Sequence, residues 1–387
     1  MNVLVLTDMF PSKEEPAFGI FIYELSKAIS CKNQVIVIHP QIWDPLRGKF
    51  YRKDNYYNHF NDIEVYRPRL FIPPKGDKLF LRAMAFFLIA LPLVKKLRKQ
   101  FYFDLIHVHM AGPAGFAAVL LGMIFSKPVI VTAHGSDIHS FPKHFFLKQL
   151  VIFTLKKATK VVAVSQSLKE SISKMVGSQK ELFVIRNGVN YEIFSPMDKT
   201  KTREMLNLPN DIKIILFIGS LLPIKGVDLL LHAFADINKR DHINLIIIGK
   251  GNSEQKLKDL TKELHIGTQV SFIGTRKHDE IPLWLNACDL LCFPSHNEGF
   301  PTVVVEAFAC GCPVVATKVG GIPEAITNDT LGILVEPNNK EELTTALNKA
   351  LEKEWDYPAI AEYGKRFSWD TIAEEYSELY KNVVLKK

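Results

Sequence analysis

At 387 residues the chain is too long for one typical core, so two domains are expected. A hydrophobic share of 47% without low-complexity tracts reads as soluble and globular, not disordered. The net charge of +7 is uneven: residues 1–185 carry 25 Lys and Arg against 13 Asp and Glu, and the rest carry 23 against 28. A basic first half points to an acidic partner or an anionic membrane surface; a solvated lysine-rich face is the plainer reading. Five cysteines (Cys31, Cys288, Cys292, Cys310, Cys312) in apolar or helical context fit reduced, buried thiols in a cytoplasm.

The N-terminus, Met1 to Thr7, enters a strand directly, with no basic region followed by a cleavage site, so no signal peptide is expected. Strand-like runs follow at Val3–Leu6, Val35–Ile38, Ile63–Tyr66, Leu105–Val108, Val129–Thr132, Val161–Val164 and Phe183–Ile185. Helical stretches such as Phe21–Ser30, Gly115–Phe125 and Gln166–Met175 lie between them. The alternation predicts a mostly parallel sheet with helices on both faces, and ligands at the carboxyl ends of its strands. Gly19 opens the first helix, where it would let backbone approach a phosphate closely; a simple helix start explains it equally.

Ala83 to Val94 is uncharged, and twelve residues are too few to span a bilayer. Pro92 is expected to bend or end the helix. Lys75, Lys78 and Arg82 precede the run, and Lys95, Lys96, Arg98 and Lys99 follow it. Two readings of residues 79–100 stand: an interfacial segment with its cations on headgroups, or a core helix of the first domain. Further on, His107 and His109 alternate on one strand face. His109 could border a ligand at that strand end, and His107 reads as structural. His134-Gly135-Ser136-Asp137 ends the next strand, where strand ends meet a cleft. Asp137 reads as an orienter of that loop, or a cap of the next helix.

Asn187-Gly188-Val189-Asn190 and the polar stretch to residue 212 read as a linker. The alternation then restarts at Ile214–Ile218, Leu245–Ile248, Val270–Ile273, Leu290–Phe293, Val314–Ala316 and Ile333–Val335. Gly249-Lys250-Gly251 is half a dinucleotide fingerprint and does not establish NAD binding. Lys225 stands at a helix start, where a cation opposes the dipole. Neutralising a diphosphate would explain it, and would stabilise charge on a leaving group.

Between Leu290–Phe293 and a helix to about Cys310 lies Asn297-Glu298-Gly299-Phe300-Pro301-Thr302. The open helix end beyond Gly299, Phe300, Pro301 and Thr302 suits a phosphate. Glu298 sits at its mouth, and Glu306 two turns deeper. Carboxylates accept from hydroxyls, so a sugar at one end, a ribose at the other and a diphosphate between would satisfy both. The outline is that of a nucleotide-sugar. No Asp-x-Asp pair occurs, which argues against a diphosphate held through Mg²⁺ or Mn²⁺; no metal site and no cofactor are expected.

Glu298 to Glu306, with Gly299 and Phe300 between, resembles the E-x7-E motif of the retaining family-4 glycosyltransferases of GT-B fold. The similarity continues through Gly311-Cys312-Pro313-Val314-Val315-Ala316 and Gly320-Gly321-Ile322-Pro323-Glu324. The resemblance implies an α/β chain of two Rossmann-like doubly wound domains facing across a cleft. It implies residues 1–187 as an acceptor-side domain, completed by a C-terminal helix over 369–387 that crosses back. Residues 188–212 are then the linker, and 213–368 the donor-binding domain. By the same resemblance His134 contacts the transferred sugar, His109 and Asp137 lie on the acceptor side, the Gly19 loop lies against the donor diphosphate, and Gly274-Thr275-Arg276 borders the nucleobase. Ser220 stands where the family commonly has an arginine, and Asn190 where it has an aspartate; the first departure removes a charge from the expected clamp.

The expected activity is retaining transfer of a hexosyl group from a nucleotide-sugar, a UDP-sugar in the first instance, to a lipid-linked or polysaccharide acceptor in cell-envelope assembly. The implied location is the cytoplasm, with peripheral contact to an anionic membrane at the inner face of the plasma membrane, and without nucleic acid. The stretches Ala17–Phe21 and Leu222–Gly226 look most like transferases of capsular or teichuronic-type polymers. A non-catalytic nucleotide-sugar binder and a sugar-nucleotide epimerase of the same fold are the alternatives.

Overall fold

A computed structural model describes residues 1–12, 15–43, 57–71, 78–140, 145–177, 179–237 and 242–385. The chain divides into two compact units, Met1–Asn187 with Trp369–Lys387, and Gly188–Ser368.

The first unit holds strands β1 (Asn2–Thr7), β2 (Gln34–Ile38), β3 (Gln41–Trp43), β4 (Tyr57–Phe60), β5 (Ile63–Tyr66), β6 (Arg69–Phe71), β7 (Leu105–His109), β8 (Val129–Ala133), β9 (Lys160–Ala163) and β10 (Leu182–Val184). Eight of them form one sheet in the order β10-β9-β8-β7-β1-β2-β5-β4. All run parallel except β4, which is antiparallel to β5; β3 and β6 pair separately. Every residue of β7 and β8 is buried, the polar His107, His109 and Thr132 included, as expected of central strands of a sheet covered on both faces. Thr7 pairs with His109 and His109 with Thr132. The carboxyl ends of β1, β7 and β8 therefore lie side by side where the strand order reverses, the usual ligand end of such a sheet.

The helix Trp369–Leu385 completes this unit's core. Its Ile372, Tyr376, Leu379, Tyr380 and Val383 pack with Ile22, Leu25 and Ile29 of the helix Ile20–Ser30 and with Val3, Val5, Val35 and Val37 of the sheet. Each such aliphatic side chain contributes roughly 1.5–3 kcal/mol of burial. The helix Lys78–Leu97 does not end at Pro92 but continues for five residues beyond it. Proline removes the bond to the carbonyl of Leu88, and Leu88 is on the exposed side, where water can take that carbonyl. Ala83, Phe86, Ala90, Leu93, Val94 and Leu97 are buried, so one stripe of this helix is core. Among the described residues no helix is long and apolar enough to cross a membrane.

The second unit holds β11 (Lys213–Ile218), β12 (Ile243–Ile248), β13 (Val270–Gly274), β14 (Leu290–Phe293), β15 (Val314–Thr317) and β16 (Gly332–Val335). They form one parallel sheet in the order β13-β12-β11-β14-β15-β16. Residues 188–212, read from sequence as a linker, are folded into this unit. The Val189 amide donates to the Phe367 carbonyl at 2.7 Å. Asp198 caps the helix Lys199–Met205. Buried Arg203 donates to Asp289 at 2.9 Å and to the Ala287 carbonyl at 2.9 Å, with Lys199 on the same carboxylate at 2.7 Å. The charge that suggested a solvated linker is paired with a residue distant in sequence. Of the five cysteines, Cys31 is exposed, against expectation; the other four are buried, with Cys288 and Cys312 Sγ atoms 3.4 Å apart.

Candidate functional site

In the first unit the site residues gather at the carboxyl ends of β1, β7 and β8. Gly19 caps the helix Ile20–Ser30 in the left-handed region, at φ 72°. A Cβ there would stand 2.7 Å from the Met9 carbonyl carbon and 2.9 Å from the Phe10 nitrogen, so the loop closes only with glycine. Asp8, next to β1, accepts from the Ala114 amide at 2.9 Å and pairs with Arg82 at 2.9 Å. Arg82 is therefore an internal ion-pair partner and not one of the headgroup-facing cations that the interfacial reading of residues 79–100 gave it as. Lys75 lies outside the described residues.

His134 follows β8 immediately. Its Nε2 lies 3.0 Å from Nδ1 of His109, and its ring packs 4.8 Å from Phe21. Nδ1 of His134 is buried without a partner. His109 is 1% exposed; it stands behind His134 instead of bordering an acceptor. Behind it the His107 ring is 4.4 Å away, held by the Tyr380 hydroxyl at 2.7 Å and Thr132 Oγ1 at 2.8 Å. Burial pushes His107 and His134 down to about 3 and His109 well below its ordinary value, with neighbouring imidazoles adding to the shift of His107 and His109. All three are neutral at pH 7. Asp137 is fully buried and accepts from the Ala111, Gly135 and His134 amides at 2.8, 2.9 and 3.1 Å. Burial raises its pKa, although those amides favour the charged form. Its oxygens are committed to the loop, so it orients the loop and is not placed to touch an acceptor.

In the second unit, β14 leads through Glu298 into the helix Thr302–Ala309, capped by Pro301 and ending at Cys310. The amides of its first turn have no helical acceptor. Lys225, in the short turn Pro223–Lys225 after β11, donates to Glu298 Oε1 at 2.5 Å and lies 5.2 Å from the Phe293 ring centroid. Both side chains are mostly covered, 20% and 11% exposed. Glu306 is 7% exposed and meets His278 Nε2 at 2.9 Å. The two glutamates thus have separate cationic or imidazole partners. Gly320 seats the motif from behind: a Cβ on it would come 1.8 Å from the Glu298 carbonyl oxygen, and the Gly321 amide donates to the Gly299 carbonyl at 3.0 Å. Gly299, Phe300 and Pro301 are buried, and Thr302 is half-buried.

Ser220 is exposed in the loop after β11. Gly274 ends β13 with φ 76°. Arg276 is held locally, 3.1 Å from the Thr275 carbonyl and 3.9 Å from Glu280. Sequence reasoning missed His278 and Asp8. Nothing in the Lys277-His278 neighbourhood marks the histidine, whose partner lies 28 positions on. Asp8 follows β1 directly, and its position at a strand end was the available signal.

Residues 19–193 match the pattern of Glycosyltransferase Family 4, and residues 198–367 that of Glycosyl transferases group 1. The chain is 30% identical over 376 residues to the putative teichuronic acid biosynthesis glycosyltransferase TuaC of Bacillus subtilis, covering 94% of this chain and 92% of that one. It is 26% identical over 333 residues to the N-acetyl-alpha-D-glucosaminyl L-malate synthase of Bacillus anthracis, covering 84% of each. Among solved structures, sucrose-phosphate synthase of Thermosynechococcus elongatus superposes with a TM-score of 0.83 at 22% identity over the full length of both chains. Anabaena HepE in complex with UDP-glucose does so with a TM-score of 0.76 at 22% identity, over 99% of this chain and all of the other.

Proposed function

This chain belongs to the group 1 and family 4 glycosyltransferases of GT-B fold, and we propose from that premise that it transfers a hexosyl group from a UDP-sugar, with retention, to a lipid-linked or polysaccharide acceptor of the cell envelope. The observation that carries the donor half is the Lys225–Glu298 pair at the open end of the helix Thr302–Ala309, with Glu306 about one turn into that helix rather than two turns from Glu298. A diphosphate at that end would draw the Lys225 ammonium, leaving Glu298 to accept from hydroxyls of the transferred sugar and Glu306 from those of the ribose. Lys225 and the helix end then stabilise charge on the leaving diphosphate without a metal. The diphosphate assists removal of the acceptor proton, and attack comes on the same face. The UDP complexes of HepE support the nucleotide, and the teichuronic assignment of TuaC supports the envelope polymer.

A thermal-shift panel of UDP-, GDP- and ADP-sugars, followed by donor hydrolysis, tests this. A UDP-sugar should raise the melting temperature most and be slowly hydrolysed. Lys225→Ala should lower kcat by about 10²–10³-fold. A variant with full turnover would contradict the diphosphate clamp, and binding with neither hydrolysis nor transfer would leave the non-catalytic reading.

The acceptor half includes an anionic membrane. The helix Lys78–Leu97 leaves Phe80 and Leu88 exposed ahead of exposed Lys95 and Lys96, and the helix Phe145–Lys157 opens on exposed Phe145 and Phe146 and closes on exposed Lys156 and Lys157. Apolar side chains beside cations suit the boundary of anionic lipid. In a vesicle flotation assay the protein should float with anionic and not with neutral lipid, and Leu88→Glu should weaken flotation. Equal recovery with both vesicle types would remove membrane contact from the reading.

A further inference from the structure

We propose that His109 is a positioning residue for the transfer: by sharing a single proton with His134 it holds that imidazole in one tautomer, so that His134 Nδ1 meets a hydroxyl of the bound sugar. The proposal rests on the reading of His134 as a sugar-contacting group. The contact between His109 Nδ1 and His134 Nε2 is 3.0 Å, and a hydrogen bond between two imidazole nitrogens needs one N–H and one lone pair. Two protonated rings would set N–H against N–H, and two bare nitrogens would repel. The pair therefore has complementary tautomers, and the proton on the shared edge decides whether Nδ1 of His134 is a donor or an acceptor.

That Nδ1 is buried and unpartnered. A buried polar atom left so is rare and costs about 1–3 kcal/mol, which a ligand hydroxyl, donor and acceptor at once, would remove. The ring cannot easily turn away. Phe21 lies 4.8 Å from it and His109 5.3 Å. His109 is itself backed by His107 at 4.4 Å, and both nitrogens of His107 are bonded, to Tyr380 and to Thr132. Thr132 in turn meets the Tyr376 hydroxyl at 3.0 Å. The sugar-facing imidazole thus ends a polar stack that begins on the C-terminal helix.

Histidine-labelled full-length protein provides the test, through long-range ¹H–¹⁵N spectra of His134 in the wild type, His109→Asn and His109→Leu. The wild type should show one tautomer. Asn, which keeps a polar atom near the place of Nδ1, should preserve it, and Leu should give a mixture. Turnover should follow, with kcat of the Leu variant down by about 10- to 100-fold, donor KM within about twofold of wild type, and most of the loss recovered by Asn. A mixture in the wild type overturns the proposal, as does a Leu variant with an unchanged spectrum and unchanged kcat. Should the Leu variant not fold, the wild-type spectrum decides. Failure of the underlying reading looks different: His134→Ala would then turn over donor at the wild-type rate, whatever the spectra show.

Discussion

At the scale of the residue, the donor motif depends on a side chain that is missing. Gly320 lies on the Glu298 carbonyl with no room for a Cβ, at φ 53°. Replacing it by alanine would move the Glu298–Gly299 backbone away from the mouth of the helix Thr302–Ala309, in addition to the strain of a left-handed alanine. That strain alone is of order 1–2 kcal/mol. Gly320→Ala is therefore expected to lower the melting temperature of the second unit by several degrees and to abolish the shift given by the donor. A variant that melts and binds donor like the wild type would show that the glycine is a bystander. The Glu298–Glu306 spacing was legible in the sequence because strand, turn and helix lie within one short stretch. The partners of the two acids were less so: Lys225 is 73 positions from Glu298, and was found from its awkward place at a helix start. His278 carries no such local anomaly.

At the scale of the element, the parallel strands were legible because most are apolar runs of four to six residues and the others, such as Ile63–Tyr66, alternate, and their observed limits agree with the reading to within a residue or two. The short strands β3, β4 and β6 were not read: three or four residues each, they have neither a long apolar run nor a sustained alternation. Nor did the sequence show that residues 188–212 fold down, since Arg203 and Asp289 find each other across 86 positions. The C-terminal helix shows what such distant pairing does. Tyr380, fully buried on that helix, reaches His107 at 2.7 Å. Tyr380→Phe keeps the ring and its packing but leaves Nδ1 of a buried imidazole unpaired, at a cost of about 1–3 kcal/mol. In urea denaturation the variant should lose about that much stability with an unchanged m-value. An unaltered midpoint would mean that the hydroxyl contributes nothing to holding the helix on the sheet.

At the scale of the whole molecule, the two units should respond differently to acid. Among the described residues of the first unit, burial lowers four histidines furthest: His39, His107 and His134 to about 3, and His109 well below its ordinary value, with the Arg67 charge adding to the shift of His39; half-buried His139 is lowered as well. The histidines of the second unit are exposed or half-buried. An unfolded histidine titrates near 6.5, so between that pH and about 3 the unfolded first unit binds protons that its folded form refuses. Stability then rises with pH across this window and is fully present only above it. Each group removes about 1 kcal/mol as pH falls from 6.5 to 5.5, a loss that four groups make large beside an ordinary domain's stability of about 5–15 kcal/mol. Asp137 acts in the opposite sense at lower pH, because its raised folded pKa lets the native state take up a proton earlier than the unfolded one. Hydrogen exchange followed by mass spectrometry at pH 7 and pH 5 should therefore show the amides of residues 105–109, 129–134 and 372–380 losing protection while those of β11, β12 and β14 keep theirs. Loss from the second sheet first, or equal loss from both, would mean that the buried histidines do not govern the acid limit of this protein.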